Sequence, residues 1–449
     1  MITLPKTFPV TCHTGAVGPG STFVVIKGQT QDGAEYIKEA LKKGATRIVL
    51  QDGMHLSPGT QELIHAARAT VEWVENTRVA LAHLSAQAAG RPARRLKLLG
   101  ITGTKGKTTT SHMLYNLLRA AGHRVALLGT VGNIIDTTAL PAVLTTPQPD
   151  YLHQFFSVCV QEKIEYVVVE VAAQALTFNR IETLVFDGLI FTNFDREHGE
   201  LYPTMEEYFA AKSKLFEHRS KNASVFINAD DEYGKKLLEA HPEFIPYTAA
   251  ESEGYECPTF PGIFNSYNLS AAVLLCKALG VPEEVLKKVS VTLPKVPGRL
   301  EQCILSNGAH AFIDYAHTPG SFKSLFQTVR PWTKHLIVLF GAGGGKDHSK
   351  RPLMGAFAVG YADVVIITSD NPRHEDPQSI IDHIVAGIPE DGRKKVICEL
   401  DREKAIIKAY QLSNPQSVIL LLGKGPDEYQ IIGDLKVPFS ERAILSAQR

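Results

Sequence analysis

Leu98-Leu-Gly-Ile-Thr-Gly-Thr-Lys-Gly-Lys-Thr-Thr-Thr110 decides how this chain folds. Leu98 to Ile101 reads as a buried strand, the glycines as a sharp loop, and the MLYNLLRAAG that follows carries leucines at helical spacing. Strand, glycine loop and helix in that order are what a phosphate cradle requires. Gly103 and Gly106 let backbone amides approach a polyphosphate, and the helix N-terminus adds a favourable dipole. Lys107 supplies a point charge, and the Thr108 hydroxyl suits Mg²⁺. The loop is shorter than the general G-x-x-x-x-G-K-[ST], although Gly100 extends its glycine character upstream. A tight strand-to-helix turn with an incidental lysine is the alternative reading, but four consecutive features agree on the cradle.

Downstream, apolar runs at Tyr166 to Val171, Leu189 to Thr192 and Ser224 to Asn228 alternate with helical segments, which predicts a parallel sheet covered by helices. Upstream, TFVVIK (Thr22 to Lys27), a helical pattern over Glu35 to Lys43 and TRIVLQ (Thr46 to Gln51) predict a small α/β unit, closed by the basic GRPARRLK at Gly90 to Lys97. LPKVPGR, Leu293 to Arg299, precedes a third series at His335 to Phe340, Asp363 to Thr368, Val396 to Glu399 and Ser417 to Leu422. The expected fold is therefore α/β in three domains: a small unit over 1–95, a phosphate-loop domain with a mostly parallel sheet over 96–296, and a Rossmann-like domain over 297–449.

Composition agrees. At 449 residues the chain exceeds what one core usually supports. Its 47 basic and 47 acidic side chains balance, so net charge implies no nucleic-acid partner. Cys12, Cys159, Cys257, Cys276, Cys303 and Cys398 are scattered without a C-x-x-C pair, which argues against a disulfide framework or a zinc cluster and for a reducing compartment. The opening MITLPKTFPV lacks signal-peptide character, and no apolar run reaches membrane-spanning length. The expectation is a cytoplasmic protein with no membrane insertion, working as a monomer.

The variant T-G-T-x-G-K-T-T-T resembles the ATP loop of the Mur ligases and of their relatives, the folylpolyglutamate synthases, and further matches follow in family order. The resemblance implies ATP and Mg²⁺ as cofactors, with Gly103, Thr104, Lys105, Gly106, Lys107, Thr108 and Thr109 around ATP. Glu170, ending YVVVE, matches the metal-binding glutamate; the alternative reading is a paired or capping carboxylate. Phe191-Thr-Asn-Phe-Asp-Arg-Glu-His198 resembles F-T-N-L-x-x-D-H, which implies His198 as a second metal ligand. Tyr208-Phe-Ala-Ala-Lys212 matches the segment whose lysine is carbamylated in the family, whereas a lysine on a helix is otherwise a solvated face. Asn265-Ser-Tyr-Asn268 resembles F-N-x-x-N, which implies Asn268 near adenine, and Arg299 joins the implied nucleotide set.

In the third domain Asp314-Tyr-Ala-His-Thr-Pro319 resembles D-Y-A-H-T-P-D with Gly320 in place of the aspartate, and Gly341 to Met354 is similar to G-x-G-G-x-R-D-x-x-K-R-P-x-M. Asp314 and His317 are thereby implied at the nucleotide and Arg351 at the incoming amino acid's carboxylate. Asp370-Asn371-Pro-Arg373 resembles the motif of members that take meso-diaminopimelate; it reads otherwise as a plain Asn-Pro turn. Gly423 and Asp427 complete the implied amino-acid set, and Thr145, Thr146 and Arg180 the implied acceptor set.

The departures cluster where the family holds UDP-N-acetylmuramoyl dipeptide. His13-Thr-Gly15 replaces D-S-R, which removes an arginine; Glu170-Val-Ala-Ala-Gln-Ala-Leu176 replaces E-V-S-S-H-A-L, which removes two hydroxyls. Gly423-Lys-Gly-Pro-Asp427 replaces G-K-G-H-E, with Glu428 adjacent as a possible substitute. The implied reaction is ATP-dependent amide formation through an acyl phosphate, joining an amino acid to a nucleotide-sugar peptide. The alternatives are a ligase of this family with another carboxylate acceptor, a non-catalytic nucleotide-binding scaffold, or, from the glycines at 341–345 alone, a nicotinamide-dependent dehydrogenase.

Overall fold

A computed structural model describes residues 2–28 and 31–448. Three sheets follow one another along the chain. The first has four parallel strands in sequence order, Val10–Thr11, Thr22–Val24, Arg47–Gln51 and Thr70–Val74. The predicted helix over 35–43 is here a 3₁₀ turn, Gly33–Tyr36, running into a helix at Ile37–Lys42.

The central sheet has eight strands ordered Ile245–Tyr247, Arg219–Asn228, Phe186–Phe191, Lys97–Thr102, Tyr166–Glu170, Val125–Leu128, Asn133–Ile135 and Thr138–Leu140. Its first six are parallel, and the last two add an antiparallel hairpin. Tyr166–Glu170 is buried along its whole length, as a strand covered on both faces must be. One face packs Phe155, Phe156 and Phe191, the other Leu114, Leu117 and Leu275. Chain connections from Lys97–Thr102 and from Phe186–Phe191 run to opposite sides of the sheet, which opens a crevice at the strand carboxyl ends where such folds bind ligands.

The third sheet is ordered Glu301–Ile304, His310–Asp314, Ser417–Leu422, His335–Phe340, Val364–Ile367 and Val396–Cys398, antiparallel only at its first pair. A separate hairpin, Tyr429–Ile432 with Leu435–Pro438, hangs from its carboxyl edge. No described helix is long and apolar enough to cross a membrane.

Candidate active site

The phosphate loop joins the central strand Lys97–Thr102 to the helix Lys107–Ala120. Both glycines are forced. A Cβ on Gly103 would stand 2.0 Å from the Thr192 hydroxyl, and one on Gly106, whose φ is +83°, would stand 2.3 Å from Asn268 Oδ1. Lys107 Nζ donates to the carbonyls of Gly103 at 2.7 Å and Thr104 at 3.0 Å. Asn268 accepts from Thr110 at 3.1 Å, which fixes the helix that carries it against the loop.

Glu170 ends the neighbouring strand and is fully buried. Its carboxylate accepts from Thr108 Oγ1 at 2.9 Å, Thr130 Oγ1 at 2.9 Å and Ser111 Oγ at 3.1 Å. This oxygen-only set beside the loop suits a hard divalent cation.

Lys212 lies near the end of the helix Met205–Ser213, which starts in a capping box between Thr204 and Glu207. Lys212 Nζ is buried and donates to Gly103 O at 2.8 Å. Burial, reinforced by the neighbouring Lys107, pushes its amine well below the ordinary lysine range. His198 has φ +59° in the loop before that helix, a conformation unusual for a side-chain-bearing residue and common at functional positions. Its Nδ1 lies 3.0 Å from the Gln174 side-chain amide.

The third domain is docked onto this loop. Arg299 donates to the Thr108 hydroxyl at 3.1 Å, and His317 Nε2 lies 2.8 Å from Glu197 Oε1, which also meets Lys105 Nζ at 3.0 Å. Burial opposes the Glu197 charge, but Lys105 and His317 hold its carboxyl well below the usual range. Burial and then Lys105 push His317 down to about 4. Lys346 reaches Glu200 at 2.9 Å. Asp314 is tied by the amides of Leu300 and Ala316, both at 2.8 Å, so it shapes the turn that carries Tyr315 and His317. A Cβ on Gly320 would stand 2.1 Å from Asp195 Oδ2, so the small residue at 320 accompanies the aspartate at 195.

Between these parts lies a cleft of about 640 Å³. Thr145, His198, His317, Asp370, Asn371, Arg373, Gly423 and Asp427 line it, together with Thr130, Lys346 and Lys350. Arg373, at φ +54°, donates to the Gly344 carbonyl at 3.0 Å and has no acidic partner among the described residues. Asp427 faces the cleft, its carboxyl raised by burial, whereas Glu428 turns away toward Arg442 at 3.5 Å.

Three expected residues stand elsewhere. Arg351 is fully buried, with its guanidinium on both Glu375 oxygens at 2.6 and 2.8 Å. The buried Thr146 hydroxyl is used between Glu170 O and Ala172 N. Arg180 donates to Thr146 O at 3.0 Å and stands outside this cleft, over the Phe178 ring that Arg78 of the first domain also covers. Glu197, Thr130, Lys346 and Lys350 were not expected; Glu197 was legible, because it precedes His198 within the matched segment.

A half-buried phosphate loop with a second domain docked across it defines an enzyme that assembles its site from two domains around a nucleotide. Residues 10–89 match the family description "Mur ligase family, catalytic domain", 101–255 "Mur ligase middle domain" and 298–425 "Mur ligase, glutamate ligase domain". Among similar proteins, the UDP-N-acetylmuramoyl-L-alanyl-D-glutamate–2,6-diaminopimelate ligase of Caldanaerobacter subterraneus is 37% identical, over 95% of this chain and 91% of that relative. The ligase of the same name from Aquifex aeolicus is 36% identical over 97% and 92%. A solved structure bearing that name superposes with a TM-score of 0.61 at 23% identity, over 98% of this chain and 94% of the other. The MurF ligase from Thermotoga maritima in complex with ADP does so with 0.63 at 20% identity, over 93% and 94%. The chain belongs to the Mur ligase family and is an ATP-dependent carboxylate–amine ligase.

Proposed function

We propose that this ligase adds meso-diaminopimelate to UDP-N-acetylmuramoyl-L-Ala-D-Glu in peptidoglycan precursor synthesis. The observation that carries the reading is the cleft in which Arg373, unpaired with any described acid, stands with Asp370 and Asp427 and with Thr130, Thr145 and His198 of the central domain. One cation and two acids fit an amino acid whose far end carries both a carboxylate and an ammonium; lysine lacks that carboxylate. Asn371 and Gly423 hold this wall, Asn371 by accepting from Lys424 at 3.1 Å and Ile431 N at 3.0 Å. Arg351 supports it through Glu375 rather than by touching the amino acid.

In this reading residues 1–95 hold the acceptor, 96–296 the nucleotide and 297–449 the amino acid. The loop from Gly103 to Thr109 holds ATP, with Asn268, Arg299 and the turn of Asp314 and His317 closing over it. Thr145 and Arg180 face the acceptor, with Thr146 shaping that wall. Thr108 and Glu170 would hold one Mg²⁺, His198 and a carbamylated Lys212 a second; the ions would neutralise phosphate charge. The low basicity of the Lys212 amine supports carbamylation, since the neutral amine is the form that adds CO₂ and releases a proton.

An acceptor carboxylate oxygen attacks the γ-phosphorus, and the bond to the bridging oxygen breaks as ADP departs, with Lys107 stabilising the shifting charge. The amine nitrogen then attacks the acyl carbon, loses a proton and expels inorganic phosphate. Docking of the third domain keeps water from the acyl phosphate meanwhile. The scatter of the six cysteines, without a C-x-x-C pair, supports a reducing, cytoplasmic setting.

Phosphate release with ATP, Mg²⁺ and UDP-N-acetylmuramoyl-L-Ala-D-Glu, offering meso-diaminopimelate or L-lysine, tests the reading. Release with diaminopimelate and little with lysine is expected; equal use of both overturns the amino-acid assignment. No release with either favours the second reading, a different carboxylate acceptor, which the exchanges at Gly15 and Ala172 support.

A further inference from the structure

A pair of arginines at the seam between the first and central domains carries charge that no described carboxylate meets. Arg78 projects from the first turn of the helix Thr77–Ala88 of the first domain; Arg180 follows the short helix Ala173–Thr177 of the central one. Both guanidiniums lie over the ring of Phe178, with Cζ 4.6 Å and 5.7 Å from its centroid. Arg78 is hydrogen-bonded to Lys27 O at 2.9 Å and Arg180 to Thr146 O at 3.0 Å, while Arg180 Nε is buried without a partner.

The seam itself is fixed. The Thr11 hydroxyl of the first domain donates to the buried Asp150 carboxylate at 2.7 Å, and the Cys12 amide adds a second bond at 3.2 Å. Asp150 is thus used by Thr11 and the amides of Cys12 and Tyr151, and forms no ion pair with either arginine. Burial, and after it the charge of Arg78, lowers Arg180 to about 10. Two like charges held together at a built seam, each with most of five donors uncommitted, are stabilised by an anion placed between them.

We propose that Arg78 and Arg180, carried on Phe178, form an anion subsite for the acceptor, with Arg78 supplying from a helix the cation that the segment at Gly15 lacks. This deepens the acceptor reading above and rests on it. Planar guanidinium forks suit the paired oxygens of a carboxylate or a diphosphate. A nucleotide-sugar peptide offers both, as its diphosphate and as the carboxylate beside the reacting one. Arg78 is a specificity residue in this assignment.

Isothermal titration of the full chain, with ADP and Mg²⁺ saturating the phosphate loop, tests this with two probes: inorganic diphosphate and N-acetyl-L-alanyl-D-glutamate. The wild type is expected to bind at least one, and Arg78→Gln to weaken that probe about ten-fold or more, with Arg78→Lys between them. Loss confined to diphosphate assigns the phosphates, and loss confined to the dipeptide assigns the carboxylate. If the wild type binds neither probe, or Arg78→Gln binds both as the wild type does while only its melting temperature changes, Arg78 merely staples the seam and the proposal falls. Arg78-dependent binding without stimulation of phosphate release by UDP-N-acetylmuramoyl-L-Ala-D-Glu would leave the subsite standing and overturn the acceptor reading instead.

Discussion

Arg299 donates to the hydroxyl of Thr108 at 3.1 Å, across 191 residues of chain, and that same hydroxyl donates to Glu170 at 2.9 Å. The entry to the third domain therefore touches the phosphate loop at the oxygen set best suited to a metal ion. Arg299 also lies over Tyr315, 5.0 Å from its ring centroid. Replacing it removes a charged donor and a stacking contact together. For Arg299→Ala, kcat/KM for ATP is expected to fall about ten-fold or more. Arg299→Lys is expected to recover only part of this, because an ammonium cannot stack as a planar fork does. Phosphate release against ATP concentration reads both; an unchanged ATP dependence contradicts the contact's role.

Lys107 is held by its own loop through Gly103 and Thr104, so its charge is positioned before any nucleotide arrives. A preorganised cation acts on charge developing during phosphoryl transfer more than on ground-state binding. Lys107→Ala is expected to lower kcat by about 10²–10³-fold, with circular dichroism unchanged. Normal ATP-dependent turnover by that variant removes Lys107 from the mechanism.

Arg373 should act on one substrate only. Arg373→Ala is expected to raise the KM for diaminopimelate by about ten-fold or more and to leave the KM for ATP where it was. Any residual use of lysine should be untouched, since lysine offers no distal carboxylate. Parallel losses with both amino acids would mean that the substitution has collapsed the wall around Gly344 instead.

The sheet framework was legible because its strands are buried on both faces and so appear as uninterrupted apolar runs: His335–Phe340 and Ser417–Leu422 match their expected bounds. Val125–Leu128 and the hairpin Asn133–Ile135 with Thr138–Leu140 were not read, being short and bounded by glycine and threonine. Motifs picked out residues that lie against the loop although their settings differ: Glu170 ends a strand, Lys212 stands in the last turn of a helix and Asn268 within one. What they could not show is who consumes a side chain. The engagement of Arg351 by Glu375, of the Thr146 hydroxyl by Glu170 O and Ala172 N, and of Glu428 by Arg442 depends on tertiary partners between 14 and 26 residues away. Arg78 was missed for the same reason, because its meaning lies in Phe178 and Arg180 across a domain seam.

Buried histidines give the fold an acid limit. His153 is 2% exposed, with Nε2 on the Thr183 hydroxyl at 2.9 Å and Nδ1 buried without a partner. Burial holds it down to about 4, and burial followed by Arg299 does the same to His112. In the unfolded chain each histidine titrates near 6.5. Between these values the unfolded state binds protons that the folded state does not, so each histidine stabilises the fold fully above about pH 6.5 and progressively loses that contribution as pH falls toward 4. The loss is expected to be roughly 1–3 kcal/mol for His153. Urea unfolding of wild type and His153→Asn from pH 7.5 to 4.5 separates this from carboxylate titration, which both share. The variant is expected to start less stable and to lose less on acidification, so the two curves converge; curves that stay parallel would mean that His153 does not carry the acid sensitivity.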